Sequence, residues 1–182
     1  MSNKAYNIET PNELLQFWFE DILENPERLT LIQQRMDLWF GGNTEFEEIQ
    51  CKHSYLLESV LSNDSHPNWF DEGSPMVVLA KIILYDQFPR SIYRGTSKAF
   101  SYDRHAAKLA EHIYDNTSIL CKYSLIQRFF IGICLQHSES LSLQEKGVEL
   151  AKKIVLEATD DLKDFFANLK GYPHEHYDVM LF

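Results

Sequence analysis

The sequence has no long apolar run, few cysteines and no cluster of basic residues. No apolar stretch reaches the roughly 18 residues that a membrane-spanning helix needs, so we expect a soluble protein. Cys51, Cys121 and Cys134 are odd in number and lack C-x-x-C spacing, which argues against a disulfide framework or a zinc site. The formal net charge of −10 argues against a nucleic-acid or anionic-membrane partner, because either would require a basic stripe.

Several catalytic motifs are also missing from the sequence. There is no Gly-x-Ser-x-Gly elbow, no glycine-rich phosphate loop and no dinucleotide fingerprint, so we expect no cofactor. Residues 1–9 have neither the apolar centre of a signal peptide nor the Arg-rich character of a transit sequence, and a cytoplasmic location is therefore the expectation.

The chain has instead the composition of a well-packed helical domain. Its 182 residues are 45% apolar and 13% aromatic, enough for one buried core and a single domain over residues 1–182. Apolar residues recur at helical spacing, and no alternating strand segment of any length is present. The pattern predicts an all-α antiparallel stack of seven or eight helices. Successive helix pairs suggest an α-solenoid, although the sequence has no sharp internal repeat.

Capping signals define several of these helices. Thr10 and Glu13 make a capping box around a proline at the first helical position, and Thr44 with Glu47 predicts another box, opening one helix that reaches residue 61. A largely apolar helix is expected to follow residues 74–75. Pro89 is predicted to end it, because its ring clashes with the preceding turn.

The run from Tyr85 to Thr96 is the most informative segment. Arg90 and Arg94 could present two guanidinium forks to a carboxylate or phosphate, with Asp86 and Gln87 orienting them. The alternatives are a structural clasp, in which Asp86 pairs with one arginine and Gln87 ties down the turn, and a merely solvated turn.

A second candidate site follows a strongly apolar helix. His137 could act as a general acid or base oriented by Glu139, or it could simply satisfy free carbonyls at the helix end. His174 could approach these residues if the C-terminus folded back, but separated ligands of this kind do not predict a metal site. Trp39 and Phe40 lie at helical spacing and belong either to the core or to a pocket wall.

The same segments resemble a known family. Tyr85-Asp86-Gln87-Phe88-Pro89-Arg90 resembles the LDQFPRN-type signature of bacterial domain-of-unknown-function family 924. The further matching segments are Phe17-Trp18-Phe19, Trp39-Phe40-Gly41, His137-Ser138-Glu139 with Gln144-Glu145, and Gly171-Tyr172-Pro173-His174. The resemblance implies a helical fold similar to tetratricopeptide repeats, whose inner surface commonly binds peptides or other ligands, and it implies no known activity.

Three functional hypotheses follow from these residues. The leading one is a groove that binds an anionic small molecule or peptide. Its predicted ligand-binding residues are Asp86, Gln87, Arg90, Tyr93, Arg94, His174, Trp39 and Phe40. The rival is an enzyme acting on an anionic substrate through His137 and Glu139, and the third is a subunit that binds only another protein.

Overall fold

The chain folds into helices throughout the part that the computed structural model describes, residues 6–62, 66–71 and 73–169. Within these ranges there are ten α-helices, three short 3₁₀ helices and no strand. The α-helices are α1 (Pro11–Phe19), α2 (Leu29–Phe40), α3 (Thr44–Lys52), α4 (Leu56–Leu61), α5 (Pro75–Ile92), α6 (Asp103–Asp115), α7 (Thr117–Leu120), α8 (Leu125–Gln136), α9 (Leu141–Glu157) and α10 (Asp160–Ala167). The 3₁₀ helices are Glu20–Leu23, Pro67–Trp69 and Ser97–Phe100.

This architecture confirms the all-α prediction. The helices are more numerous than the seven or eight expected, because short ones such as α4 and α7 are separate elements. A tetratricopeptide-like arrangement of the helix pairs stays a prediction. No helix in the described ranges is long and apolar enough to span a membrane.

Helix α1 begins and ends at polar contacts. The Thr10 hydroxyl accepts from the backbone N–H of Glu13, and the Glu13 carboxylate accepts from the backbone N–H of Thr10, as the capping box predicts. At the other end the chain leaves the helix through Glu20, whose φ is +47°. The buried guanidinium of Arg35 donates to the carbonyl of Trp18, near the negative end of α1.

Helix α5 is the central element of the fold. Every residue from Val77 to Pro89 is buried, and the helix packs against α1, α3, α6 and α8. A helix that is apolar on all faces is stable only when other elements surround it. Its C-terminal turns therefore carry the polar residues of the signature directly into the interior.

Pro89 does not end α5, contrary to the prediction. The helix continues through it to Ile92, and the backbone N–H of Tyr93 still donates to the carbonyl of Pro89 at 2.9 Å. A proline so close to a helix end deprives only the carbonyl of Tyr85 of its usual helical donor. The signature is consequently one continuous helical face followed by a turn, so Asp86 and Arg90 lie one helical turn apart.

The single helix predicted from residue 44 is in fact two. Helix α3 is capped by the Asn43 side chain, which accepts from the backbone N–H of Phe46. A turn after Lys52 then separates α3 from α4. In this turn the buried ring of His53 accepts from the N–H of Ile8 at 3.0 Å and lies 2.8 Å from the carbonyl of Ile49. The imidazole thus links the chain before α1 to the end of α3.

Helices α8 and α9 approach each other closely at two glycines. A Cβ at Gly147 would lie 2.9 Å from the carbonyl oxygen of Gly132 and 2.6 Å from Cγ of Gln136. Real Cβ contacts are longer, so this crossing requires glycine at position 147. The close approach holds the C-terminal end of α8, where Gln136 and His137 lie, against α9.

Candidate functional site

A cavity of about 700 Å³ lies among the C-terminal ends of α2, α5 and α8 and the start of α6. Its lining includes Arg90, Arg94, His137, Trp39 and Phe40, which come from α2, α5, the residue that follows α8 and the turn after α5. The volume is within the range of small-molecule sites. The fold therefore brings several separately predicted residues to one cavity.

Arg90 lines the cavity and is held in place by contacts within the protein. Its Nε–H donates to Nδ1 of His137 at 3.2 Å, and Nη1 donates to the carbonyl of Ala99 at 3.3 Å. Its Nη2 donates to Oδ2 of Asp103 at 3.0 Å and lies 3.4 Å from Oδ1 of Asp86. All three guanidinium nitrogens are thus engaged by the protein, and the side chain is only 16% exposed.

Asp86 lies behind Arg90 and is almost completely buried, with 1% of its side chain exposed. One of its oxygens lies 2.8 Å from Nδ1 of His137, and the other accepts from Nε2 of Gln87 at 2.6 Å. Burial by itself would raise the pKa of Asp86. The charge and hydrogen bond of His137, the charge of Arg90 and the hydrogen bond from Gln87 together outweigh burial, so the pKa of Asp86 lies below its ordinary value.

The imidazole of His137 is oriented by Asp86. Its Nδ1 contacts both the Asp86 carboxylate and the Arg90 Nε–H group. A proton on Nδ1 makes the bond to Asp86, whereas a lone pair there makes the bond to Arg90, so the two contacts belong to alternative protonation states. Glu139, which was predicted to orient the ring, is exposed and does not line the cavity.

Arg94 differs from Arg90 in its surroundings. Its side chain is 62% exposed, and Nη2 donates to Oε1 of Glu47 at 2.5 Å. It precedes Gly95, whose φ of +78° turns the chain away from α5 and favours glycine. Gly42, also with positive φ, lies beside the Arg94 guanidinium. Arg94 therefore stands at the exposed side of the cavity with a single carboxylate partner among the described residues.

Aromatic rings form much of the remaining wall. Trp39 donates its Nε1–H to the carbonyl of Trp18 at 2.9 Å, and the two rings stack with centroids 6.3 Å apart. Phe40 stacks on the core residue Phe130 at 6.2 Å. Phe100 lies under the guanidinium of Arg90, with the carbon of that group 5.3 Å from the ring centroid. This wall suits an apolar or aromatic ligand body.

Three buried polar atoms on lining residues have no hydrogen-bond partner in the described part of the chain. They are Nε1 of Trp18, Oε1 of Gln136 and Oδ1 of Asp103. Burial raises the pKa of Asp103, Arg90 opposes that rise, and the negative charge of Asp86 adds to it, so the net shift is upward. Sequence reasoning missed Gln136 and Asp103, since no motif marks them, whereas Trp18 belongs to the Phe17-Trp18-Phe19 segment that matches the family.

The two remaining predicted ligand-binding residues are Tyr93 and His174. Tyr93 caps α5 and stacks beneath Lys98, whose Nζ is 4.2 Å from the ring centroid, and it does not line the cavity. His174 lies outside the described residues. Within the described ranges no group of three or more His, Cys, Asp or Glu side chains is placed to hold a metal ion.

Comparison with known proteins identifies the family. Residues 14–181 match the family described as "Bacterial protein of unknown function (DUF924)". The chain belongs to this family. Neither the curated proteins nor the solved structures gave a match. In this DUF924 member the signature residues Gln87, Arg90 and Arg94 line a cavity, and Asp86 supports two of its side chains from behind.

Proposed function

We propose that this protein binds a small molecule or peptide carrying an anionic group in the cavity beside Arg90 and Arg94. The observation that carries the proposal is the cavity of about 700 Å³ that joins an exposed arginine to an aromatic wall. A protein partner would present the same chemistry through a C-terminal carboxylate or an acidic side chain.

Arg94 is the residue that we assign to the anion. Arg90 already faces two carboxylates, so its positive charge is balanced within the protein. Arg94 has one carboxylate partner among the described residues, Glu47, in a pair that is largely open to water. Such pairs contribute only about 0–1 kcal/mol, so a ligand carboxylate can replace Glu47 at little cost.

The test is direct binding of aromatic carboxylates. We would titrate phenylpropionate and indoleacetate into the purified protein by isothermal titration calorimetry and repeat the titration with Arg94→Ala. Loss of a charge-assisted hydrogen bond corresponds to about a tenfold or greater weakening. Arg104→Ala is the matched control, because Arg104 is exposed on α6 and does not line the cavity. Equal binding by both variants would refute the role of Arg94.

The Asp86–His137 contact supports a second candidate, an enzyme acting on an anionic substrate. A buried carboxylate 2.8 Å from Nδ1 fixes the orientation of the imidazole, as in many general acid–base sites. In this hypothesis His137 transfers the proton and Arg94 holds the substrate. His137→Asn should remove turnover of a substrate panel while Arg94-dependent binding persists. A broad panel with no turnover by the unmodified protein would count against the enzyme.

A further inference from the structure

We infer that Glu47 competes with the ligand for Arg94, so that the anionic group binds by displacing the Glu47 carboxylate. This inference rests on the proposed binding function and deepens it, because it names the residue that limits the affinity for an anion. In the structure, Oε1 of Glu47 accepts from Nη2 of Arg94 at 2.5 Å. A carboxylate of the protein thus occupies the position at the guanidinium that a ligand carboxylate requires.

The Glu47–Arg94 ion pair lies at the edge of the cavity, beside Gly42. A Cβ placed on Gly42 would lie 3.8 Å from Nη1 of Arg94 and 3.9 Å from Oε1 of Glu47. Gly42 and Arg94 both line the cavity, whereas Glu47 does not. The arginine therefore belongs to the lining and the carboxylate lies just outside it, so a ligand in the cavity and Glu47 reach the same guanidinium.

The other charged groups at the cavity provide no second cation for the ligand among the described residues. Arg90 faces two carboxylates, Asp86 and Asp103, and the ring of His137 contacts Asp86 and Arg90. With both carboxylates ionised, these four groups carry no net positive charge, whether His137 is neutral or protonated. An anion therefore gains a positive partner at Arg94, and it gains the full charge only when Glu47 moves away.

Glu47 can leave Arg94 without a large loss of stability. The Arg94 side chain is 62% exposed and that of Glu47 is 25% exposed, so water already weakens their attraction. Glu47 also lies in the first turn of α3, where the positive end of the helix dipole stabilises a carboxylate with or without an arginine. A displaced Glu47 consequently remains in a favourable environment.

Glu47→Gln tests the competition, because it nearly preserves the size of the side chain and removes its charge. By isothermal titration calorimetry, phenylpropionate and indoleacetate should bind this variant about 2- to 5-fold more tightly than the unmodified protein, which is equivalent to about 0.4–1 kcal/mol. Indoleacetamide, the uncharged analogue, should bind both proteins equally. Glu45→Gln is the matched control, because Glu45 is exposed in the same turn of α3 and does not line the cavity.

A double variant separates competition at Arg94 from a general effect of net charge. The gain from Glu47→Gln should disappear when Arg94→Ala is also present, because no guanidinium is left to compete for. A gain of the same size in the Arg94→Ala background, or from Glu45→Gln alone, would overturn the inference.

The remaining outcomes distinguish this inference from the proposed function. If the carboxylates bind in an Arg94-dependent manner and Glu47→Gln leaves their affinity unchanged or weakens it, Glu47 is not a competitor, while anion binding stands. If neither the unmodified protein nor Glu47→Gln binds either carboxylate, the proposed function and the inference fail together. A melting temperature of Glu47→Gln close to that of the unmodified protein shows that the variant is folded.

Discussion

Replacing Arg90 with methionine should strongly destabilise the fold, although the equivalent change at Arg94 should not. Arg90→Met keeps a long apolar side chain but leaves Asp86 and Asp103 without their shared cation. Removing one partner of a buried ion pair costs about 3–5 kcal/mol, a large part of a typical domain stability of about 5–15 kcal/mol. Arg94→Met removes a pair whose arginine is 62% exposed, and the expected cost is about 1 kcal/mol or less.

Urea unfolding at pH 7, followed by far-ultraviolet circular dichroism, measures both free energies of unfolding. Adding Asp103→Asn to Arg90→Met should restore about 1 kcal/mol or more, because one uncompensated carboxylate is then removed. Lowering the pH should narrow the gap between Arg90→Met and the unmodified protein, since protonation relieves the unpaired carboxylates of the variant. If both arginine substitutions lowered the free energy of unfolding by the same small amount, the structural role assigned to Arg90 would be refuted.

Four further predictions use the same unfolding assay. Arg35→Met should cost about 3 kcal/mol, because it removes charged donors from the last carbonyls of α1; a loss under 1 kcal/mol would refute this role. His53→Leu should cost about 1–3 kcal/mol by orphaning the buried N–H that the ring accepts, and no change would contradict that contact. Gly147→Ala should cost about 1–3 kcal/mol through the clash with Gln136, and an unchanged free energy of unfolding would show that α9 shifts freely. The pKa of Asp103 is raised on folding, so the contribution of Asp103 to stability falls as the pH rises from about 4 through the pKa of the folded protein. Asp103→Asn should remove that fall. The stability of the variant relative to the unmodified protein should therefore increase over this pH window and stay constant above it.

The helices could be predicted because their signals are local. Thr10 and Glu13 are three residues apart, and the structure contains the capping box that they predict. Pro89 shows the limit of the same reasoning. The rule that proline breaks a helix holds for helix interiors, whereas Pro89 lies in the last turn of α5. The break between α3 and α4 could not be predicted from local signals, because His53, in the turn between them, contacts Ile8, which lies 45 positions away in the sequence.

Several residues that line the cavity could be grouped from the sequence, but their roles were not separable there. Arg90 and Arg94 are equivalent in the sequence pattern. Their difference comes from Asp103, 13 positions from Arg90, and from His137, 47 positions away. The two arginines could therefore be grouped by spacing, whereas the clasp around Arg90 and the exposed position of Arg94 depend on helix packing.

The stacked pair of Trp18 and Trp39 also supplies a built-in optical reporter. Two of the three tryptophans in the chain line the cavity, whereas Trp69 is buried elsewhere and donates to the carbonyl of Glu9 at 2.9 Å. With ring planes only 16° apart, the cavity pair should dominate any ligand-induced change in indole emission and near-ultraviolet dichroism. Trp69 provides a constant background, so occupancy can be followed without a label.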